Sequence, residues 1–437
     1  MAITLPQRPD GDQFEDLVVA GLKALGYFTE SHLVLRDEGK EVLELDVVAT
    51  PVGEPPKSKS VFEAKKATVS FPDVFKLFGQ RMYLGIDRAY LVHLEPLDAA
   101  VAAVYDKHAA RMGVTVCHCP PDLPALERLA PAKNALTVEQ RARVAAAAWY
   151  QHIARRLALA AFNYECKQQK RLSTIHEELR QYVLRVREAF FQPTALARAE
   201  ALYEAYFHNP KLTGQMVAKL AKESGATDIG IWNRVNDNHD LLWLQYVMLV
   251  ESTARVGIIK NALDDVVERG GVPPPTQDVQ IRTSKGVIQA KWPLHMCLPP
   301  RFIVGLEKVQ SHPHGLRVAY LFQVFLEVFG GILAPGDEAE LRLLSDLTGI
   351  PQADIIATLN LYDQFFDADG TSYFYMQKGE LLCMKMVPGF VRGGGAFLRS
   401  IVLGVDRYEA RYPNMGWLLG LLHDRLYRLL ESVLRKS

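Results

Sequence analysis

Cysteine is scarce in this sequence, with five in 437 residues: Cys117, Cys119, Cys166, Cys297 and Cys383. An odd, scattered set argues against a disulfide framework and for a reducing compartment. Cys117-His118-Cys119 has no second ligand pair at zinc-binding spacing, so small strand residues are the plainer reading. Long apolar runs are missing too. Nothing approaches the roughly 20 apolar residues of a membrane span, and Met1 to Asp12 has no apolar export core, so a cytoplasmic protein is expected. Internal repeats and low-complexity tracts are absent. Formal net charge is zero, but the balance is uneven: residues 1–120 sum to roughly −4 and residues 141–235 to roughly +7, giving the middle of the chain the cationic surface. With 49% apolar and 23% charged residues, the chain reads as globular and long enough for two or three domains.

Apolar periodicity organises the first 120 residues. Phe14, Leu17, Val18, Leu22 and Leu25 form a helical stripe over 13–25, closed by Gly26. Strands are expected at 27–36, 41–50 and 59–65, with the proline-rich loop 51–58 before the third. A helix over 71–84, a strand at 89–93, a helix over 97–112 and a strand at 114–117 complete an α-β-β-β-α-β-α-β order. That order makes a mixed sheet flanked by helices.

Charged residues interrupt two of these apolar strands. Glu63 and Lys65 in Val61-Phe62-Glu63-Ala64-Lys65-Lys66 point to one face, since strand side chains alternate. If Glu44-Leu45-Asp46-Val47-Val48 pairs beside that strand, Asp46 joins them. Two carboxylates crowded together repel unless a cation lies between them, and hard oxygen donors suit magnesium or manganese (Mg2+ or Mn2+). This is the chemistry of a metal-dependent phosphodiesterase. The alternative is a structural ion pair at a strand edge.

In this order, Asp46, the Glu63-Ala64-Lys65 triplet, Glu15 in the opening helix and Gln80 in the helix after the triplet resemble the PD-(D/E)XK nuclease superfamily. The resemblance is especially to Mrr-like restriction endonucleases and archaeal Holliday-junction resolvases. The resemblance covers residues 12–118, about a quarter of the chain. Leu45 stands where the superfamily name has proline, and Gln80-Arg81-Met82-Tyr83 is one residue short of the Q-x-x-x-Y of recombination exonucleases. The resemblance implies a restriction-endonuclease-like fold in which Asp46, Glu63 and the Ala64 backbone carbonyl hold the metal. It further implies that Lys65 orients the attacking water or stabilises the transition state, that Glu15 completes the metal shell or binds a metal-bound water, and that Gln80 positions the substrate backbone or the metal shell. DNA is the expected substrate and a bacterial restriction or anti-phage role the expected setting. Glu44 and Arg81 are additional rim candidates, each balanced by a plain surface reading.

Beyond residue 120 the signals are coarser. Pro120, Pro121, Pro124 and Pro131 mark a linker over 121–136, followed by a basic helical domain at 137–270. Within it Arg155, Arg156, Lys167, Lys170 and Arg171 form a candidate nucleic-acid-binding set, with a solvated arginine-rich face as the alternative. A β-like connector is expected at 271–297. Residues 298–390 resemble a winged-helix domain, with a helix-turn-helix over 337–365 and a wing at 372–386. Its second helix, from Gln352 to Gln364, has no lysine or arginine, which favours a packing or protein-interaction role over groove reading. Gly393-Gly394-Gly395 reads as a hinge, and 391–437 as C-terminal helices able to pack or dimerise. A homodimer or a partner subunit is therefore expected. The competing overall reading is a catalytically silent subunit that binds nucleic acid or protein within a larger complex.

Overall fold

Asp10 starts the first helix with a reciprocal cap: its carboxylate accepts from the Gln13 amide at 2.7 Å, and the Gln13 side chain accepts from the Asp10 amide at 3.0 Å. This is α1, Gly11–Ala24. The structure is a computed structural model; it describes residues 9–120, 123–142, 174–206, 240–272, 276–293, 298–329 and 338–366, with short stretches at 144–145, 148–149, 152, 332–333 and 383–384. Gly26 ends the turn after α1 at φ +91°, where a Cβ would stand 3.1 Å from Lys133, so glycine is required there.

The sheet then forms in chain order as β1 Tyr27–Asp37, β2 Lys40–Pro51, β3 Ser60–Lys65, β4 Arg88–His93 and β5 Val114–His118. The first three strands are antiparallel neighbours, and β3, β4 and β5 run parallel. Two helices, α2 Phe71–Leu84 and α3 Ala99–Arg111, make the parallel crossovers. The fold is thus a mixed five-stranded sheet with helices on both faces. Phe14, Val18 and Leu22 of α1 bury against Val47, Phe62 and Val92 on one face. Val74, Leu77, Tyr105 and Ala109 of α2 and α3 bury against Val61, Ala89 and Leu91 on the other. The alternation of these apolar positions is what the strand period of two dictates.

The segment expected as a linker carries α4, Leu123–Leu129. Its Leu123 and Leu126 approach Gly21 of α1, where a Cβ would clash with Leu126 at 2.5 Å. Pro124 sits in the first turn of this helix, which has no intrahelical amide bond to lose.

A helical region follows: α5 Thr174–Glu188, α6 Asp240–Arg269, α7 Pro300–Gln310, α8 Gly315–Glu327, α9 Glu338–Thr348 and α10 Gln352–Asn360. Between α6 and α7, within the β-like connector expected at 271–297, lies a hairpin, β6 Thr276–Thr283 with β7 Gly286–Pro293. The helix-turn-helix pattern is present as α9 and α10 with Gly349 at φ +69° between them. Of the expected wing, only Cys383–Met384 is described, pairing with Ile332–Leu333; the rest, the Gly393–Gly395 run and the terminal helix lie outside the described residues. Among the described residues no helix is long and apolar enough to cross a membrane.

The helical region is built against the sheet. Leu17, Ala20, Phe28 and Val52 belong to the same apolar cluster as Phe302, Tyr320, Phe325 and Leu344. The Gln323 side chain of α8 accepts from the Thr29 amide at 3.0 Å and donates to the Thr29 carbonyl at 2.7 Å, taking a neighbouring strand's place on the edge strand β1.

Candidate active site

Ladder pairing between β2 and β3 covers Val47–Phe62, Val48–Val61 and Ala49–Ser60 and goes no further. The strands part at Asp46. Its Oδ2 accepts from the Ala64 amide at 2.8 Å, so a side chain takes over where the backbone ladder stops. On the other side of β2, the β1 partners skip from Ser31–Val47 to Leu33–Leu45. Between them His32, opposite Asp46 in the register, adopts φ 54°. The break in regular pairing lies at the level of the candidate carboxylates.

Glu63, only 1% exposed, points to the α2 face of β3. Its Oε1 accepts from Lys65 at 2.9 Å and from Lys76 of α2 at 2.7 Å. Lys65 also lies 3.8 Å from Asp73, whose carboxylate accepts from the Ser70 amide and hydroxyl at the start of α2. Burial first, and then the charge of Glu63, push the Asp46 carboxyl up to about 7; the Ala64 hydrogen bond and the Lys76 and Lys65 ammoniums oppose this. Burial would lower Lys65, but the hydrogen bond and charge of Glu63, with Asp46 and Asp73, outweigh it and hold the ammonium above its ordinary value. For Asp73 burial raises the carboxyl, and the Ser70 bonds and the two lysines win, leaving it lowered.

The structure thus brings Asp46, Glu63 and Lys65 together, with the Ala64 amide as the link. Gln80 is 2% exposed and donates to the Glu44 carbonyl at 2.8 Å. Its Oε1 is buried with no hydrogen-bond partner, an acceptor beside the site with capacity to spare. Glu15 is half-buried on α1 with its carboxylate 3.6 Å from His32 Nδ1. Glu44 is exposed; burial of part of its side chain and the neighbouring Glu41 raise it, while Lys76 pulls it down. Arg81 donates to the backbone carbonyls of Asp87 and Met112, which ties α2 to the start of β4 and the end of α3. Arg155, Arg156, Lys167, Lys170 and Arg171 lie outside the described residues.

Two features were not anticipated. Lys76 is the first; its signal was helical spacing, since positions 73, 76 and 80 share a face of α2 with the already suspected Gln80. The second is a buried group around Asp16, whose Oδ1 lies 3.5 Å from His32 and 3.2 Å from His152. Lys23 lies close by, 3.4 Å from His152 and ion-paired with Glu327. Asp16 follows Glu15 directly, but nothing in the local sequence pairs it with a histidine more than a hundred residues away.

No protein-family model, curated protein or solved structure matches this chain.

A hard divalent cation would find few acidic donors at this site. Among the described residues, no three or more His, Cys, Asp or Glu are grouped to hold a metal. Acidic ligands at this site would therefore be two, Asp46 and Glu63, and the remaining positions would fall to neutral oxygens. The Ala64 carbonyl and Gln80 Oε1, which has no hydrogen-bond partner, would be the neutral candidates. Magnesium commonly keeps several waters and takes only one or two carboxylates.

Proposed function

We propose that the protein is a divalent-metal-dependent nuclease of the PD-(D/E)XK type, hydrolysing phosphodiester bonds, with DNA as the favoured substrate. The observation that carries this reading is the buried meeting of Asp46 and Glu63 where β2 and β3 part, with Lys65 in contact. Two carboxylates sharing a desolvated position are costly without a cation to offset them. A cation bound there would offset that cost for both carboxylates at once, which the lysines at Glu63 do by direct contact only for one.

Asp46, Glu63 and the Ala64 carbonyl would hold the metal. Bound there, magnesium or manganese would lower the pKa of a water and neutralise charge on the phosphoryl oxygens. Lys65 contacts Glu63 directly and would offer an ammonium donor to the attacking water or to the phosphoryl oxygen that gains charge. Lys76 neutralises the outer side of Glu63, and Gln80 fixes α2 against β2. The helical region is read as a targeting, regulatory or assembly module, with α9 and α10 as a winged-helix-like pair. A bacterial restriction or defence setting is an inference from the resemblance.

One observation favours the second reading, a catalytically silent binding subunit. Both ammoniums converge on Glu63 Oε1, which satisfies that carboxylate without any metal. A single assay separates the two. Wild-type protein with plasmid, linear duplex and single-stranded substrates should cut in magnesium or manganese and stop in EDTA. Glu63→Gln and Lys65→Ala should each lose at least about a hundredfold in rate, the scale of losing a positioned charge from a desolvated site, while far-UV circular dichroism is unchanged. Cutting at wild-type rates by either variant would sink the nuclease reading.

A further inference from the structure

The outer face of α2 is apolar where a surface helix is normally polar. Its exposed positions are Pro72, Phe75, Lys76, Gly79, Met82 and Tyr83, and only Lys76 among them is charged. Tyr83 is 67% exposed, Met82 61% and Phe75 60%. Scattered exposed apolar residues are ordinary, but a contiguous set marks a surface that binds something. Gly79 adds a second observation. Glycine inside a helix is less stable than alanine, and nothing in this chain asks for it, since a Cβ there would meet no atom within 4 Å. Bare backbone at the centre of an apolar stripe suits another helix packing close against it.

The stripe is complementary to itself. Phe75 and Met82, seven residues apart, stand on one side of Gly79; Lys76 and Tyr83, also seven apart, stand on the other. A second α2 laid antiparallel across Gly79 sets each position before the glycine against one about as far behind it on the same side. Phe75 then meets Met82 of the second copy, a ring against a thioether, and Lys76 meets its Tyr83, an ammonium over a ring. The two-fold repeats both contacts, as an isologous interface requires. No like charges are brought together.

We infer that this face is the interface of a symmetric dimer, in which the α2 helices of two copies of the chain cross antiparallel at Gly79. The three large apolar side chains of both copies cover roughly 700 Å². With Pro72, Lys76 and the bare backbone the contact comes to about 1,000 Å², the small end for specific association. The dimer is therefore weak and forms at micromolar concentrations. It reaches the candidate site through Lys76, which holds Glu63 at 2.7 Å while its own side chain is still 42% exposed. Tyr83 of the second copy covers that stem, so each copy closes the outer side of the other's Lys76–Glu63 pair. The inference stands without the nuclease reading.

The test is sedimentation equilibrium of the full chain in EDTA without nucleic acid, from about 1 to 200 μM. A monomer–dimer equilibrium is expected, and Met82→Asp and Gly79→Leu should each weaken it at least about tenfold with far-UV circular dichroism unchanged. Cross-linking reads the direction of the helices. Positions 75 and 82 lie about 10 Å apart along one helix, too far for a disulfide. The variant carrying both Phe75→Cys and Met82→Cys should therefore oxidise to a covalent dimer, and neither single variant should. A chain that stays monomeric at the highest concentration would overturn the inference. So would a dimer indifferent to Met82→Asp, which puts the interface elsewhere, and a doubly substituted variant that cross-links no faster than the single ones, which excludes the antiparallel crossing. A monomer that binds a single-stranded oligonucleotide and loses it in Met82→Asp would assign the patch to nucleic acid instead. Cleavage by a chain that never dimerises would leave the nuclease reading intact, and a dimer that cuts nothing would uphold the interface and overturn the nuclease.

Discussion

Asp46 is where the proposed function and stability pull against each other most directly. It is 8% exposed, and burial followed by the Glu63 charge raises its carboxyl to about 7. An unfolded aspartate titrates near 4. Between about pH 4 and pH 7 the metal-free folded protein therefore holds a proton that the unfolded chain has released. Stability from this group falls as pH rises through that window, and the full penalty is in place above about 7. Asp46→Asn keeps an acceptor for the Ala64 amide and removes the titration. Without metal, the variant should be more stable than wild type at pH 8, on the order of 2 kcal/mol, and no more stable at pH 4. Urea unfolding in EDTA at the two pH values measures this, and an equal difference at both would refute it. Adding magnesium at pH 8 should close the gap by stabilising only wild type. Asp46, Glu63 and Lys65 were legible as a group because charges stand out in apolar strands and strand period fixes their faces. Lys76 and the Asp16–His32–His152 contacts were not, because they depend on which helix face meets which strand face and on a partner far along the chain.

At the scale of elements, α2 decides the site. It supplies Lys76 to Glu63, Asp73 to Lys65 and Gln80 to the Glu44 carbonyl, and its position is fixed at both ends. Ser70 and Asp73 bond at the start. At the end Gly85 adopts φ +63°, and its amide donates to the Met82 carbonyl. A Cβ at Gly85 would meet nothing within 4 Å, so Gly85→Ala tests backbone strain alone. It should cost about 1 kcal/mol, read as a lower urea midpoint with an unchanged slope, and leave cleavage rates near wild type. A loss of several kcal/mol would show that α2 is held more tightly than its cap implies. The order of helices and strands over the first 120 residues was readable because each element carries its own apolar period. Exact ends were less so, and α4 was hidden by the prolines around it: the residues that suggested a linker are tolerated at a helix start, and its burial against Gly21 is a tertiary fact.

For the whole molecule, the question is whether the sheet and the helical region fold as separate units. The sequence suggests a boundary near residue 120, yet the largest apolar cluster runs from Leu17, Phe28 and Val52 into Phe302, Tyr320 and Phe325. Polar contacts reinforce it: Tyr320 donates to the Lys23 carbonyl, and Lys23 pairs with Glu327. The decisive link is Gln323, 3% exposed, whose amide satisfies both the amide and the carbonyl of Thr29 on the sheet's edge strand. Removing it leaves two buried backbone groups without partners, and an unsatisfied buried group costs about 1–3 kcal/mol. Gln323→Ala should therefore lower stability by about 3 kcal/mol, with a single unfolding transition in wild type followed alike by tryptophan fluorescence and far-UV circular dichroism. If the variant loses less than about 0.5 kcal/mol, or if wild type already unfolds in two separate steps, the helical region is a loosely attached neighbour. If the prediction holds, movements of the helical region are transmitted directly to β1. Through β1's pairing with β2 they reach the strand that carries Asp46, so a partner that pulls on the helices has a mechanical route to the candidate active site.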